Sequence, residues 1–145
     1  MRRFLALLAL VLPLVAAPAH AQLVEGPQLT AARQLDLAAQ HLASAVLHAA
    51  GEAQVSTTDA AQIAALADTI RDFRFELEAN SLSSLQAEAA WAEVSHLFVA
   101  ARSALADSKA RDIQHEMLRV NALMNRIDRG FGGTGFWSGR NGWGG

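Results

Sequence analysis

Large apolar residues recur at alternating spacings of four and three along the segment 113–127, and this pattern constrains the fold more than any other. The five residues are Ile113, Met117, Val120, Met124 and Ile127. At 3.6 residues per turn, this spacing places all five on one face of an α-helix. An apolar face this continuous must be covered by other helices, so the sequence predicts a packed helical assembly.

Three upstream segments carry apolar faces of the same kind. In chain order these faces consist of Leu35, Ala38, Ala39, Leu42, Val46 and Ala49; of Ile63, Leu66, Ile70, Phe73 and Leu77; and of Ala87, Trp91, Val94, Phe98, Ala101 and Leu105. Each segment would form a helix roughly 30 Å long. Four helices of similar length with short connections predict an all-α, antiparallel, up-down-up-down four-helix bundle.

We expect each helix to begin at a side chain that caps free backbone amides and to end near glycine or asparagine. The expected N-caps are Thr30, Ser56, Ser83 and either Asp107 or Ser108, and the expected terminators are Gly51, Asn80 and Gly130. Because the segment 106–112 contains neither glycine nor proline, one long helix could replace the third and fourth. Their apolar faces are about 80° out of phase, which favours two helices.

The first 21 residues have the parts of a secretory signal peptide. Arg2 and Arg3 precede an apolar stretch at 4–17, and Ala19 and Ala21 are the small residues that a signal peptidase reads. We therefore expect cleavage after Ala21, a lead-in at 22–29, the bundle at 30–129 and a periplasmic or secreted protein. An uncleaved membrane anchor is the alternative.

The chain contains no cysteine, which excludes several kinds of site. A lipid-anchored N-terminal cysteine, a covalent c-type haem, a thiolate metal site and a cysteine nucleophile are all ruled out. After removal of the signal peptide, 10 basic and 14 acidic residues leave a net charge of −4. This charge argues against a nucleic-acid partner, because such partners need a basic surface. No G-x-S-x-G or H-E-x-x-H motif is present, so we do not expect an enzyme.

Two short motifs raise the alternative of a metal-binding bundle. Glu93-x-x-His96 and Asp112-x-x-His115 resemble the motifs of ferritin-like di-metal carboxylate proteins, in which such residues on facing helices bind iron or manganese. Here the helical phase directs both histidines about 190–200° away from the apolar faces. Solvated side chains are therefore the expected role of all four residues, and no metal is predicted.

A non-covalent haem between His41 and Met117 is the second cofactor alternative, because bundles can hold haem between a histidine and a methionine. In the predicted bundle the two residues lie at similar heights on the neighbouring first and fourth helices. Methionine also fills irregular gaps in apolar cores, however, and a histidine at the helix flank can share an interface with water. The sequence therefore predicts no cofactor.

The composition changes abruptly after the fourth helix. The segment 130–145, which we call the tail, holds eight of the ten glycines together with Phe131, Phe136, Trp137, Arg140 and Trp143. Tryptophan buries a large area at low rotamer cost, and arginine can stack or pair. We expect these five residues to contact an envelope protein, a glycan or a membrane surface; a frayed terminus is the alternative. Phe75, on the outward face of the second helix, indicates a second contact patch.

These observations predict an exported, non-enzymatic bundle that acts as a binding or accessory module, structural or chaperone-like, in the cell envelope. The alternative function is a haem- or metal-binding bundle for electron transfer or metal storage. A homo-oligomer is compatible with either function.

Overall fold

The computed structural model describes residues 26–79 and 81–131 of the chain. These residues form α1 (Gly26–Gly51), α2 (Thr57–Glu78), α3 (Ser84–Ala104) and α4 (Arg111–Gly130), joined by short connections. Helix is the only extended secondary structure in these ranges, which confirms the predicted all-α, four-helix fold. None of these four helices combines the length and the apolar character needed to cross a bilayer.

Two of the predicted helix starts are confirmed by side-chain hydrogen bonds. The Ser56 hydroxyl accepts a hydrogen bond from the Asp59 amide at 3.0 Å. Ser83 and Gln86 form a reciprocal capping box, in which the Ser83 amide donates to the Gln86 side chain at 2.9 Å. Each cap satisfies amides that have no partner within the helix, so the sequence located α2 and α3 well.

The other two predicted starts are wrong. α1 begins at Gly26, and Thr30 lies inside it, where its hydroxyl donates to the Gly26 carbonyl at 2.8 Å. α4 is preceded by Ala110, which supplies no side-chain cap. Ser108 belongs instead to the connecting turn, where its amide donates to the Leu105 carbonyl at 3.0 Å. A polar residue near a helix start is therefore not always its cap.

α3 and α4 are separate helices, as the phase difference predicted. α3 ends at Ala104 and α4 starts at Arg111. Leu105 remains buried at the break, while Ile113 is buried one turn inside α4. The turn between them lets both apolar faces reach the same core, which one straight helix would not allow.

The four predicted apolar faces form one core. Every residue named in them is buried except Met117, which is half-buried. α1 packs closely against α2 and α4, and α2 packs closely against α3. The alanines on α1 explain its close approach, because small side chains keep two helices near each other. In the described part of the chain, α3 and α4 have almost no stretch of similarly close backbone approach.

Side chains, not close backbones, connect α3 to α4. The Trp91 indole nitrogen of α3 donates to Asp128 Oδ1 of α4 at 3.5 Å. The Trp91 ring also stacks on Phe131, which directly follows α4, with ring centroids 6.0 Å apart. Phe73 of α2 completes this aromatic cluster, 5.5 Å from Trp91 and 6.2 Å from Phe131. The cluster joins three helices at one end of the bundle.

A chain of ion pairs covers the boundary between α1 and α2. Arg74 donates to Asp36 at 3.1 Å and to Glu78 at 2.8 Å, and Arg33 donates to Glu78 at 2.7 Å. Burial opposes the charge of Arg74, but the hydrogen bonds to Glu78 and Asp36 leave its pKa raised. The hydrogen bond from Arg33, supported by that from Arg74, lowers the pKa of Glu78. The network therefore favours the charged form of both partners.

A histidine-lined groove as the candidate functional site

A groove of about 370 Å³ lies between α1 and α4. It is lined by His41, Ser44, Ala45 and His48 from α1 and by Asp112, His115 and Glu116 from α4. Residues seven apart lie two turns apart on one face of a helix, which places both α1 histidines on the groove. Positions 112, 115 and 116 share an edge of α4 because they are separated by about one turn.

Imidazole and carboxylate groups dominate the chemistry of this groove. His115 Nδ1 lies 3.6 Å from Glu116 Oε1, and His48 Nε2 lies 3.4 Å from the neighbouring Glu52. Glu116 Oε2 is buried without a hydrogen-bond partner, and its nearest cation is Arg119, with Nη1 at 3.9 Å. The three histidines are exposed, so their protonation is open to solvent.

The groove does not present a metal centre. In the ranges 26–79 and 81–131, no three histidine, aspartate or glutamate side chains are placed to hold one metal ion. Asp112 and His115 line the groove, whereas Glu93 and His96 lie exposed on α3 and are not among its lining residues. The two motifs that resemble di-metal sites are therefore not brought together here.

The residues of the haem alternative are also separated by environment. His41 is exposed on the groove, whereas Met117 is half-buried against the core. Met117 is not among the described residues that line the groove. Packing within the core, which the sequence gave as the usual role of methionine, accounts for its position.

The residues predicted to contact a partner divide into two groups. Phe131 is half-buried in the aromatic cluster, so its ring is used within the bundle. Phe136, Trp137, Arg140 and Trp143 lie outside the described residues. The tail thus starts from an anchored residue, and this anchor is the structural fact that bears on its role.

Phe75 lies on the outward face of α2, as its helical phase predicted. Its side chain is 52% exposed, and the guanidinium carbon of Arg74 lies 3.7 Å from the ring centroid. This cation–π contact covers part of the ring and links it to the ion pairs between α1 and α2.

Sequence reasoning missed the grouping of His48 and Glu116 with the other residues of the groove. The spacing of His41 and His48 showed that they share a face of α1, and the predicted bundle placed α1 beside α4. The register between the two helices was the missing information. Gln28, near the start of α1, donates to the Gly130 carbonyl at the end of α4 at 2.7 Å, and this contact sets that register.

Comparisons with protein-family models, with curated proteins and with solved structures found no match to this chain.

Proposed function

We propose that this protein is an exported, non-enzymatic binding module of the cell envelope whose tail contacts the partner. The structural observation that supports this function is the position of Phe131. Its ring stacks on Trp91 and lies beside Phe73, so the tail leaves the bundle at a fixed point.

The composition of the tail supports a contact role. Glycines separate Phe136, Trp137 and Trp143, so these aromatic side chains are presented on backbone with little steric restriction. Aromatic side chains supply much of the binding energy at protein surfaces, and tryptophan is the most effective of them. Arg140 adds a planar cation that can pair with carboxylates or stack on rings.

The proposed location rests on the signal sequence at 1–21. A folded, cysteine-free bundle suits an oxidising compartment, because its stability does not depend on the state of a thiol. The partner would be an envelope protein, a glycan or a membrane surface, each of which can be contacted by aromatic and arginine side chains.

Removal of the tail beyond Phe131 tests this function. A chain that ends at Phe131 should keep its helical content and fold cooperatively, because all described core residues remain. It should lose binding to envelope extract, to purified cell-wall glycan or to anionic vesicles, whichever the full-length chain binds. Circular dichroism and a pull-down with each of the three probes provide the measurements.

A full-length control separates tail chemistry from tail length. In this variant Phe136, Trp137 and Trp143 are replaced by serine, so the glycines and Arg140 remain. Loss of capture in this variant would show that the aromatic rings carry the contact. Equal capture by the full-length chain, the truncated chain and this variant would refute the proposed role of the tail.

A further inference from the structure

The outer side of the α3–α4 pair is the least closely packed side of the bundle in the described part of the chain. α1 approaches α2 and α4 closely, and α2 approaches α3, but α3 and α4 are joined mainly through Trp91 and Asp128. A wider helix–helix boundary leaves a groove that side chains of these two helices only partly fill.

The residues along this boundary follow from the helical phase. Trp91 and Asp128 face each other, which fixes the facing edges of the two helices. At 100° per residue, Val99 on α3 and Leu118 on α4 both project outward beside this boundary. They lie about 12 Å and about 15 Å along the helices from the Trp91–Asp128 contact, so they are at similar heights. We call this surface the α3–α4 groove.

The α3–α4 groove offers apolar surface. Val99 is 38% exposed and Leu118 is 61% exposed, and the adjacent Met117 is half-buried. The other two sides of the bundle that involve α1 carry charge. Ion pairs cover the α1–α2 side, and histidines and carboxylates line the α1–α4 side. Aromatic side chains would therefore be accommodated best between α3 and α4.

We propose that residues Phe136 and Trp137 of the tail dock in the α3–α4 groove against Val99 and Leu118. The tail begins beside this groove, because Phe131 stacks on Trp91. Six residues separate Phe131 from Trp137 and span at most about 20 Å in extended form. Along α4, the thirteen residues from Phe131 back to Leu118 also span about 20 Å. An extended tail thus brings Trp137 to the height of Leu118.

This inference rests on the proposed function for the choice of contact segment, and it adds a form of regulation. A tail that occupies its own bundle is withheld from an external partner, which must then compete with the α3–α4 groove. Apparent partner affinity falls by the fraction of chains whose tail is free.

Two leucines of similar exposure allow a matched test. Leu118 lines the proposed groove, and Leu37 on α1, 54% exposed, lies on another side of the bundle at a similar height. The tail is removed after Phe131 in the natural chain, in Leu118→Ser and in Leu37→Ser, and the melting temperature of all six proteins is measured. Docking predicts that truncation lowers the melting temperature by about 3–6 °C in the natural chain and in Leu37→Ser. Truncation should have almost no effect in Leu118→Ser.

Equal shifts in all three backgrounds, or no shift in any, would overturn the proposal. A fluorescence measurement gives an independent reading in the full-length Trp143→Phe protein, which retains only Trp91 and Trp137. Docking predicts that Leu118→Ser increases quenching by acrylamide and that Leu37→Ser does not; equal quenching in both variants would contradict it. Partner capture that depends on the tail without this thermal coupling would refute the docking alone, and coupling without capture would refute only the proposed function.

Discussion

At the scale of single residues, two phenylalanines on α2 show how strongly the environment determines the contribution of a side chain. Phe73 is buried among residues of the core and packs against the rings of Trp91 and Phe131. Phe75, two positions later, is about half exposed under the guanidinium group of Arg74. Two residues correspond to about 200° around a helix, so the two rings point in nearly opposite directions.

This pair yields a direct prediction for stability. Phe73→Ala should lower the free energy of unfolding by about 3–5 kcal/mol, because it removes a buried ring and leaves a cavity. Phe75→Ala should lower it by no more than about 1 kcal/mol, the usual size of a cation–π contact at an exposed site. Chemical denaturation followed by circular dichroism measures both variants. Similar losses in the two variants would contradict the assigned core.

At the scale of elements, the α1–α2 pair combines a close apolar boundary with a network of charges. Asp36 is buried, and it accepts hydrogen bonds from Gln40 at 2.8 Å and from Arg74 at 3.1 Å. Glu78 connects the same Arg74 to Arg33. Removal of one partner would leave a buried charge without compensation, so the network favours one alignment of the two helices.

The lowered pKa of Glu78 makes a prediction about acid stability. The hydrogen bond from Arg33 is the main cause of the shift from the ordinary value of 4.5. Because the folded state binds this proton less readily than the unfolded state, charged Glu78 stabilises the fold above pH 4.5. This contribution is lost as the pH falls through the lowered pKa. Glu78→Gln should therefore melt below the natural protein at pH 7, and the difference should shrink towards pH 3.

An exposed glutamate on the same helix serves as the control for this measurement. Glu76→Gln changes the net charge by the same amount at an exposed position. Thermal melts of the three proteins between pH 7 and pH 3 isolate the effect of the network. A constant difference between the natural protein and Glu78→Gln across this range would contradict the proposed linkage.

The sequence predicted the four helices and their buried faces, because apolar periodicity reports directly on which side of a helix is covered. It predicted the starts of α2 and α3, since Ser56 and Ser83 have capping partners within three residues. It did not predict the start of α4, where Ala110 provides no side-chain signal. Local pattern also carries no information on helix register, so the grouping of His48 with Glu116 required the structure.

At the scale of the whole molecule, one end of the bundle is closed by contacts that are far apart in sequence. The aromatic cluster joins α2, α3 and the residue after α4, and the Gln28 side chain joins the start of α1 to Gly130. A Cβ atom at position 130 would lie 2.7 Å from Gln28 Nε2, so this approach favours glycine there. All four helices are thus connected where the tail begins.

The role of Phe131 in this closure can be measured apart from the rest of the tail. In a chain that ends at position 131, Phe131→Ala should lower the free energy of unfolding by about 1–2 kcal/mol, as expected for a half-buried aromatic side chain. Both proteins lack residues 132–145, so docking of the tail cannot contribute to the difference. Near-equal stability of the two would mean that Phe131 does not anchor the tail, and the fixed starting point on which both proposals depend would be lost.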